Sequence, residues 1–229
     1  MRKIVVAVDG YSSCGKSTMA KALAKYAGYA YIDTGAMYRA IGLYATRKGF
    51  VKDGELDKNA IVGALDEIEI FFKPNAEGKN DTYLNGENVE GEIRTLDAAI
   101  AASKVSEIKE VRAALVRQQQ KMGEGKCVVM DGRDIGTVVF PNAELKIFVT
   151  ASSDVRAKRR YDELVAKGDA PESLEKVKKD IEERDLRDTT RKESPLIQAA
   201  DAVVLDNSDM TLEEQFEWLK RKFDETVGK

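Results

Sequence analysis

Histidine is absent from the 229 residues, and that gap alone removes whole classes of chemistry. Ser-His-Asp and Cys-His nucleophile systems, histidine general bases and histidine-containing metal sites have nothing to be built from. Cysteine occurs only twice, at Cys14 and Cys127. Two thiols fall short of the ligand set of a structural zinc site, and with no signal-peptide pattern ahead of them a reducing cytosol is the expected setting. A basic excess is missing too. Lys and Arg number 37 against 40 Asp and Glu, a net charge of −3, so no nucleic-acid partner is expected. Apolar runs are short, none approaching the ~20 residues needed to cross a bilayer, and a soluble, cytoplasmic chain with no membrane partner is expected. What is present suffices for a core. With 43% hydrophobic residues and roughly 150 residues per domain, the length predicts one full α/β domain and a smaller appendage.

Short β-branched runs alternate with helical periodicity. Ile4 to Val8 precedes a helical stretch over Thr18 to Ala27, and Tyr29 to Ile32 precedes another over Met37 to Lys48. The alternation returns at Cys127 to Met130, Leu145 to Val149 and Ala202 to Leu205. This order predicts βαβ units and a five-stranded parallel sheet flanked by helices. Between the halves, Glu67 to Lys73 and Thr82 to Val89 read as antiparallel strands, with turns at Asn75, Gly78 and Asn85-Gly86, the last a hairpin dipeptide that favours positive φ. A long helical region with unplaced breaks follows from Ile93 to Met122. Ser152 to Ala166 and Ser173 to Asp188 are predicted helices joined by the loop Lys167-Gly168-Asp169-Ala170-Pro171. Thr211 begins a last amphipathic helix, with Glu214 in the capping-box position.

One motif is specific. Gly10-Tyr11-Ser12-Ser13-Cys14-Gly15-Lys16-Ser17, followed by Thr18, matches G-x-x-x-x-G-K-[ST] and stands between an apolar strand and a helix, the context a phosphate loop requires. Its glycines let the backbone wrap closely round phosphate oxygens, and its amides and the helix N-terminus point at the anion. Lys16 adds a mobile charge, and the Ser17 hydroxyl can ligate Mg²⁺. Cys14, inside the loop, is expected to be a small filler whose thiol an alkylating agent nonetheless reaches, whereas Cys127, in a buried strand, should react slowly. The chain has no Asn-Lys-x-Asp guanine-reading motif, which argues against a GTPase switch, and it lacks the length and paired acidic motif of a motor ATPase. Seven of its 14 arginines fall at 133, 156, 159, 160, 184, 187 and 191, a concentration that suggests a local anion site in an acidic chain.

Four further clusters complete the pattern: Asp33-Thr34-Gly35-Ala36-Met37-Tyr38-Arg39, Gly91-Glu92-Ile93-Arg94-Thr95, Asp131-Gly132-Arg133-Asp134-Ile135-Gly136-Thr137-Val138-Val139-Phe140-Pro141, and Glu183-Arg184-Asp185-Leu186-Arg187-Asp188 ending with Arg191. In this order, with the phosphate loop, they resemble the bacterial cytidylate kinase family of P-loop nucleoside-monophosphate (NMP) kinases over essentially the whole chain. The resemblance implies a P-loop NTPase-type core at 1–50 and 92–229, an antiparallel NMP-binding insertion at 51–91 and a short helical lid at 156–168. It implies transfer of the ATP γ-phosphoryl group to CMP, and to dCMP, by a cytoplasmic monomer that uses Mg²⁺. Thr34, Arg39, Arg133 and Arg191 would hold the CMP phosphate; Ser103, Arg112 and Asp134 would read cytosine; Arg184 and Asp188 would contact the sugar, with Arg184 also shared with phosphate. Lys16, Arg133, Arg184 and Arg191 would stabilise the transferring group, while Gly10 to Thr18, Arg156 and Arg160 would hold ATP. Thr34 stands where Ser is common in the family, which keeps the hydroxyl.

Plainer alternatives exist for several positions. Arg184, Asp188 and Arg191, at i, i+4 and i+7, would share a helix face and could form a solvated ion-pair ladder. Asp131 could cap a turn or orient Mg²⁺ through water. The Arg156, Arg159 and Arg160 cluster could be a solvated face, Arg39 an ordinary surface charge, and Ser103 a helix-packing residue in the small-residue run from Ala98.

Overall fold

The computed structural model describes residues 2–52, 55–76, 80–168 and 170–228. Gly78 and Asp169, expected in turns, lie outside them. In chain order the elements are β1 (Val5–Gly10), α1 (Lys16–Ala27), β2 (Ala30–Asp33), α2 (Thr34–Arg47), β3 (Val51–Lys52), β4 (Glu55–Leu56), α3 (Lys58–Gly63), β5 (Ile70–Pro74), β6 (Asn80–Leu84), β7 (Glu87–Asn88), α4 (Leu96–Val105), α5 (Lys109–Gly123), β8 (Val128–Gly132), β9 (Leu145–Thr150), α6 (Ser153–Ala166), α7 (Leu174–Thr190), β10 (Val203–Asp206) and α8 (Leu212–Val227). They form two compact units, Met1–Tyr31 with Gly123–Lys229, and Ile32–Met122.

The first unit is built on the expected sheet, ordered β10-β9-β1-β8-β2, with β1 pairing parallel to β8 and β9, and β9 to β10. All six β1 residues are buried, as a central strand covered on both faces requires. Ile4, Val6, Val8, Leu23, Ile147, Leu219 and Phe223 share one cluster that packs α1 and α8 against the sheet. Register aligns Val8 with Asp131 and Gly10 with Val149, so the polar ends of three central strands fall at the same carboxyl edge, where open α/β sheets bind ligands. Helices α6 and α7 pack as a hairpin around Ala157, Val177 and Ile181. The capping box on α8 forms as expected, Thr211 accepting from the Glu214 amide and Glu214 from the Thr211 amide. Among the described residues no helix is long and apolar enough to cross a membrane.

The second unit holds α2, α4 and α5 around a core that includes Met37, Ile41, Ile61, Ile93, Val105 and Leu115. A Cβ on Gly42 would lie 2.7 Å from Ala101 Cβ, so the small residues of α4 serve close packing against α2. The hairpin strands β5 and β6 are antiparallel, with β6 paired to β7 across Asn85-Gly86, whose φ values of 49° and 86° belong to the tight turn expected there. The segment 51–91 also holds a two-stranded ribbon, β3 with β4, and the six-residue helix α3, neither of which was foreseen; two residues per strand and one and a half helical turns are too short to show a period. The expected break in the long helical region falls at Ser106 to Ile108.

Candidate active site

The phosphate loop runs from the end of β1 into α1. Gly10 has φ +147°, and a Cβ there would sit 2.0 Å from the Val149 carbonyl oxygen, so the position admits no side chain. Ser13 (φ 58°) and Gly15 (φ 88°) are both left-handed, the alternation that turns successive amides to one side. Helix α1 has neither a side-chain cap nor an acidic residue in its first turn, which leaves its positive end toward the loop. Lys16 is buried, its Nζ donating to the Tyr11 carbonyl at 2.6 Å. Burial pushes its ammonium below the usual lysine range, Arg133 pushes the same way, and Arg184 adds to it. Three cations thus feel one another at the loop, the arrangement an incoming polyanion relieves.

Beside them, Ser17 Oγ donates to Asp131 Oδ2 at 2.8 Å and the Tyr31 hydroxyl to Asp131 Oδ1 at 2.7 Å. A hydroxyl and a buried carboxylate in contact form a hard oxygen donor pair that suits Mg²⁺ carried with phosphate. No cluster of three or more acidic, histidine or cysteine groups able to hold a metal without a substrate's help occurs among the described residues.

Asp188 sits between arginines. Arg133 Nε donates to its Oδ2 at 2.8 Å, and Arg191 Nη1 lies 3.6 Å from its Oδ1. Burial raises its carboxyl pKa, but Arg133, Arg184 and Arg191 together override this and hold it below the usual range. Asp188 is 7% exposed and the Arg191 side chain 8%, so the solvated-ladder reading does not describe them. Asp134, also buried, directly precedes an unforeseen π-helical turn, Ile135–Val139, the kind of bulge that concentrates at functional sites. The amides of Ile135 and Gly136 donate to the two oxygens of Asp9 at 2.8 and 2.7 Å.

The three α6 arginines have separate fates. Arg156 is buried and bonded to Ala151, Ser12 and Asp185. Arg159 donates to the side chain and carbonyl of Asn207, while Arg160 pairs with Glu163 on its own helix.

Within the second unit, Asp33 caps α2 by accepting from the Ala36 amide, and its Oδ2 accepts from Arg39 at 2.8 Å and Arg94 at 2.7 Å. Burial opposes ionisation there, but the two guanidiniums hold its carboxyl far below the usual range. Arg39 is accordingly an anchored cation rather than a loose surface charge, and Thr34, next to Asp33 in the chain, is buried. Arg112, buried on α5, donates to the Ser106 carbonyl and lies over the Tyr38 ring. Ser103, on α4, is half-buried.

Four groups carry structure here that the sequence reading left without a role: Asp9, Arg94, Asp185 and Asn207. Arg94 and Asp185 lay inside quoted clusters, and their signal was a second charge beside an assigned one. Cys14 is a small filler as expected, but the order of thiol accessibility is the reverse of that expected. Cys14 is 0% exposed, its side chain filling the core under the loop, while Cys127 is half-buried just before β8.

A parallel α/β sheet with a glycine loop at its carboxyl edge, a crowd of cations round that loop and a hydroxyl-carboxylate pair beside it define a P-loop phosphotransferase. A solved structure described as an uncharacterized protein from Eubacterium ventriosum shares the fold, with a TM-score of 0.52 at 10% identity over 100% of both chains. The chain belongs to the cytidylate kinase family, whose model matches residues 6–225. It is 58% identical to a cytidylate kinase of Parabacteroides distasonis over 100% of both chains. It is 56% identical to one of Porphyromonas gingivalis over 98% of each.

Proposed function

We propose that this chain is a CMP kinase, catalysing ATP + CMP ⇌ ADP + CDP with dCMP as a second acceptor. The observation that carries the reading is the cation crowd at the phosphate loop, where Lys16 is flanked by Arg133 and Arg184 in a member of this family. An acceptor phosphate is already an anionic nucleophile, so a chain with no histidine loses nothing by lacking a general base. Transfer then rests on positioning and on charge spread over the transferring group. The loop amides from Gly10 to Thr18, apart from that of Ser12, which donates to Asp185, and Lys16 take the ATP phosphates, and Arg160 closes on them from α6. Mg²⁺, held by Ser17 and Asp131, would supply further positive charge to the phosphates.

In the first unit Arg133 and Arg191 bind acceptor phosphate, Asp134 accepts from the cytosine amino group, and Arg184 and Asp188 meet the sugar. In the second, Thr34 and Arg39 bind phosphate, with Arg94 and Asp33 fixing the angle of Arg39, while Ser103 and Arg112 read the base. Residues 51–91 act as the NMP-binding insertion and 156–168 as the lid, in a monomer working in the cytoplasm. The test is ADP release from ATP with CMP, dCMP, UMP, AMP and GMP in turn; strong turnover with CMP and dCMP is expected, and equal turnover with AMP or GMP would overturn the assignment.

A further inference from the structure

Ser12 is gripped from both sides of its own residue. Its amide donates to Asp185 Oδ1 at 3.2 Å, and its carbonyl accepts from Arg156 Nη1 at 3.1 Å. The two gripping groups bind each other at 2.5 Å, and Arg156 is further fixed by its Nε on the Ala151 carbonyl at 2.9 Å and by the Tyr11 ring at 5.2 Å. Ser12, Arg156 and Asp185 are all under a tenth exposed. The next residue, Ser13, is left-handed at φ 58°, a conformation unfavourable for a non-glycine residue that persists only where its surroundings over-determine it.

A buried ion pair is by itself weak support for a fold, because well-packed apolar residues commonly replace one without loss. Its placement is the informative feature. Asp185 adjoins Arg184 on α7 and Arg156 lies on α6, so one pair ties the loop to both helices of the hairpin. We propose that Arg156 and Asp185 are positioning residues which hold the phosphate loop in its anion-binding shape by clamping Ser12, and that Arg156 does not act as an ATP ligand. The clamp rests on the phosphotransferase reading above, yet it concerns ATP binding alone.

Two variants test it. Asp185→Asn removes a negative charge close to an anion site, which as electrostatics alone would tighten ATP. Under the clamp it loosens ATP, because an amide has one accepting oxygen and cannot accept from the Ser12 amide and Arg156 together. The double variant Arg156→Met with Asp185→Leu keeps the net charge and an apolar fill, and is expected to melt within a few degrees of the unmodified protein. Calorimetric titration with ATP should show affinity weakened about tenfold or more in both, as loss of charge-assisted hydrogen bonds implies, with KM for CMP at saturating ATP little changed. ATP bound as tightly as before by either folded variant would overturn the proposal, as would failure of both to fold, which would make the pair purely structural. An unmodified protein that binds ATP but phosphorylates no acceptor would sink the kinase reading and leave the clamp standing.

Discussion

Asp9 gives the chain an unusual pH dependence. Its carboxylate is buried at the end of β1 and receives two amide bonds, from Ile135 and Gly136. Burial nonetheless dominates: aided by the charge on Asp134, and against those amides and Lys16, it lifts the carboxyl pKa from an ordinary 3.8 to about 6. The Lys146 chain packs beside the same oxygens, with its Cδ 3.2 Å from where a Gly136 Cβ would be, though its ammonium is turned to Asp201 and Pro141. Between pH 4 and 6 the folded chain therefore keeps a proton that the unfolded chain has released. Stability must fall as pH rises through that window. A shift of about two units at ~1.4 kcal/mol per unit makes the cost about 3 kcal/mol by pH 7. Asp9→Asn cannot titrate, and its single mispaired amide is a fixed offset. Urea unfolding of both proteins from pH 4 to 7.5 should show the unmodified chain losing about 3 kcal/mol relative to Asp9→Asn as pH rises. Asp33, Asp188 and Glu144, whose carboxyls lie below their usual range, slope the opposite way but cancel between the two proteins. A difference that stays flat, or grows in favour of the unmodified chain, would refute the argument.

Lys16→Ala should keep the circular dichroism of the fold while turnover drops by ~10²–10³ or more, since it removes charge stabilisation from the transferring group; near-normal turnover in the folded variant would sink the phosphate-loop assignment. Thiol reactivity should follow exposure: mass spectrometry after brief alkylation should find the adduct on Cys127 and not on buried Cys14, with activity retained, and fast modification of Cys14 would contradict the packing described. Uracil presents an acceptor where cytosine presents an amino donor, so Asp134 should favour CMP over UMP in kcat/KM by up to ~10⁴. Asp134→Asn should narrow that margin by offering an amide N–H. An unchanged margin would remove Asp134 from base reading.

How much of this was legible beforehand follows from the range over which each signal acts. Strands β1, β8 and β9 were readable because buried strands write themselves as unbroken apolar runs, edge strand β10 because it keeps a β-branched run although Val203 and Val204 are exposed, and the phosphate loop because its backbone geometry dictates glycine at fixed spacing, as the 2.0 Å approach at Gly10 shows. Helix α3 and the β3–β4 ribbon were not readable, being shorter than the period that would announce them. The π-helical turn at Ile135–Val139 follows from bonds to Asp9, 126 residues away in sequence from Ile135, and no local pattern encodes such a partner. The ATP role expected of Arg156 came from the family resemblance, which places a lid there; that its guanidinium folds back onto Asp185 depends on where Asp185 arrives, which only the packing of α6 on α7 decides. The relative reactivity of the cysteines was misjudged for the same reason, since a loop residue is ordinarily open, whereas Cys14 fills the core beneath the loop it belongs to.

The pairing of arginines with carboxylates also explains how an acidic chain can carry an anion site. Asp188 serves Arg133 and Arg191, and Asp33 serves Arg39 and Arg94. Each guanidinium has five N–H donors in a rigid fork, more than a single carboxylate can accept. A phosphate can therefore be met by cations whose direction is already fixed, without first ordering long side chains at a cost of up to ~2 kcal/mol each. The carboxylates lower the attraction for free anions and raise the accuracy of aim. For in-line transfer, where misplacement of 1 Å can cost ~10²-fold, aim is the scarcer quantity. Lys16 is the exception: its ammonium rests on the neutral Tyr11 carbonyl and feels Arg133 and Arg184, so the strongest pull on phosphate is concentrated at the loop where the transferred group must sit.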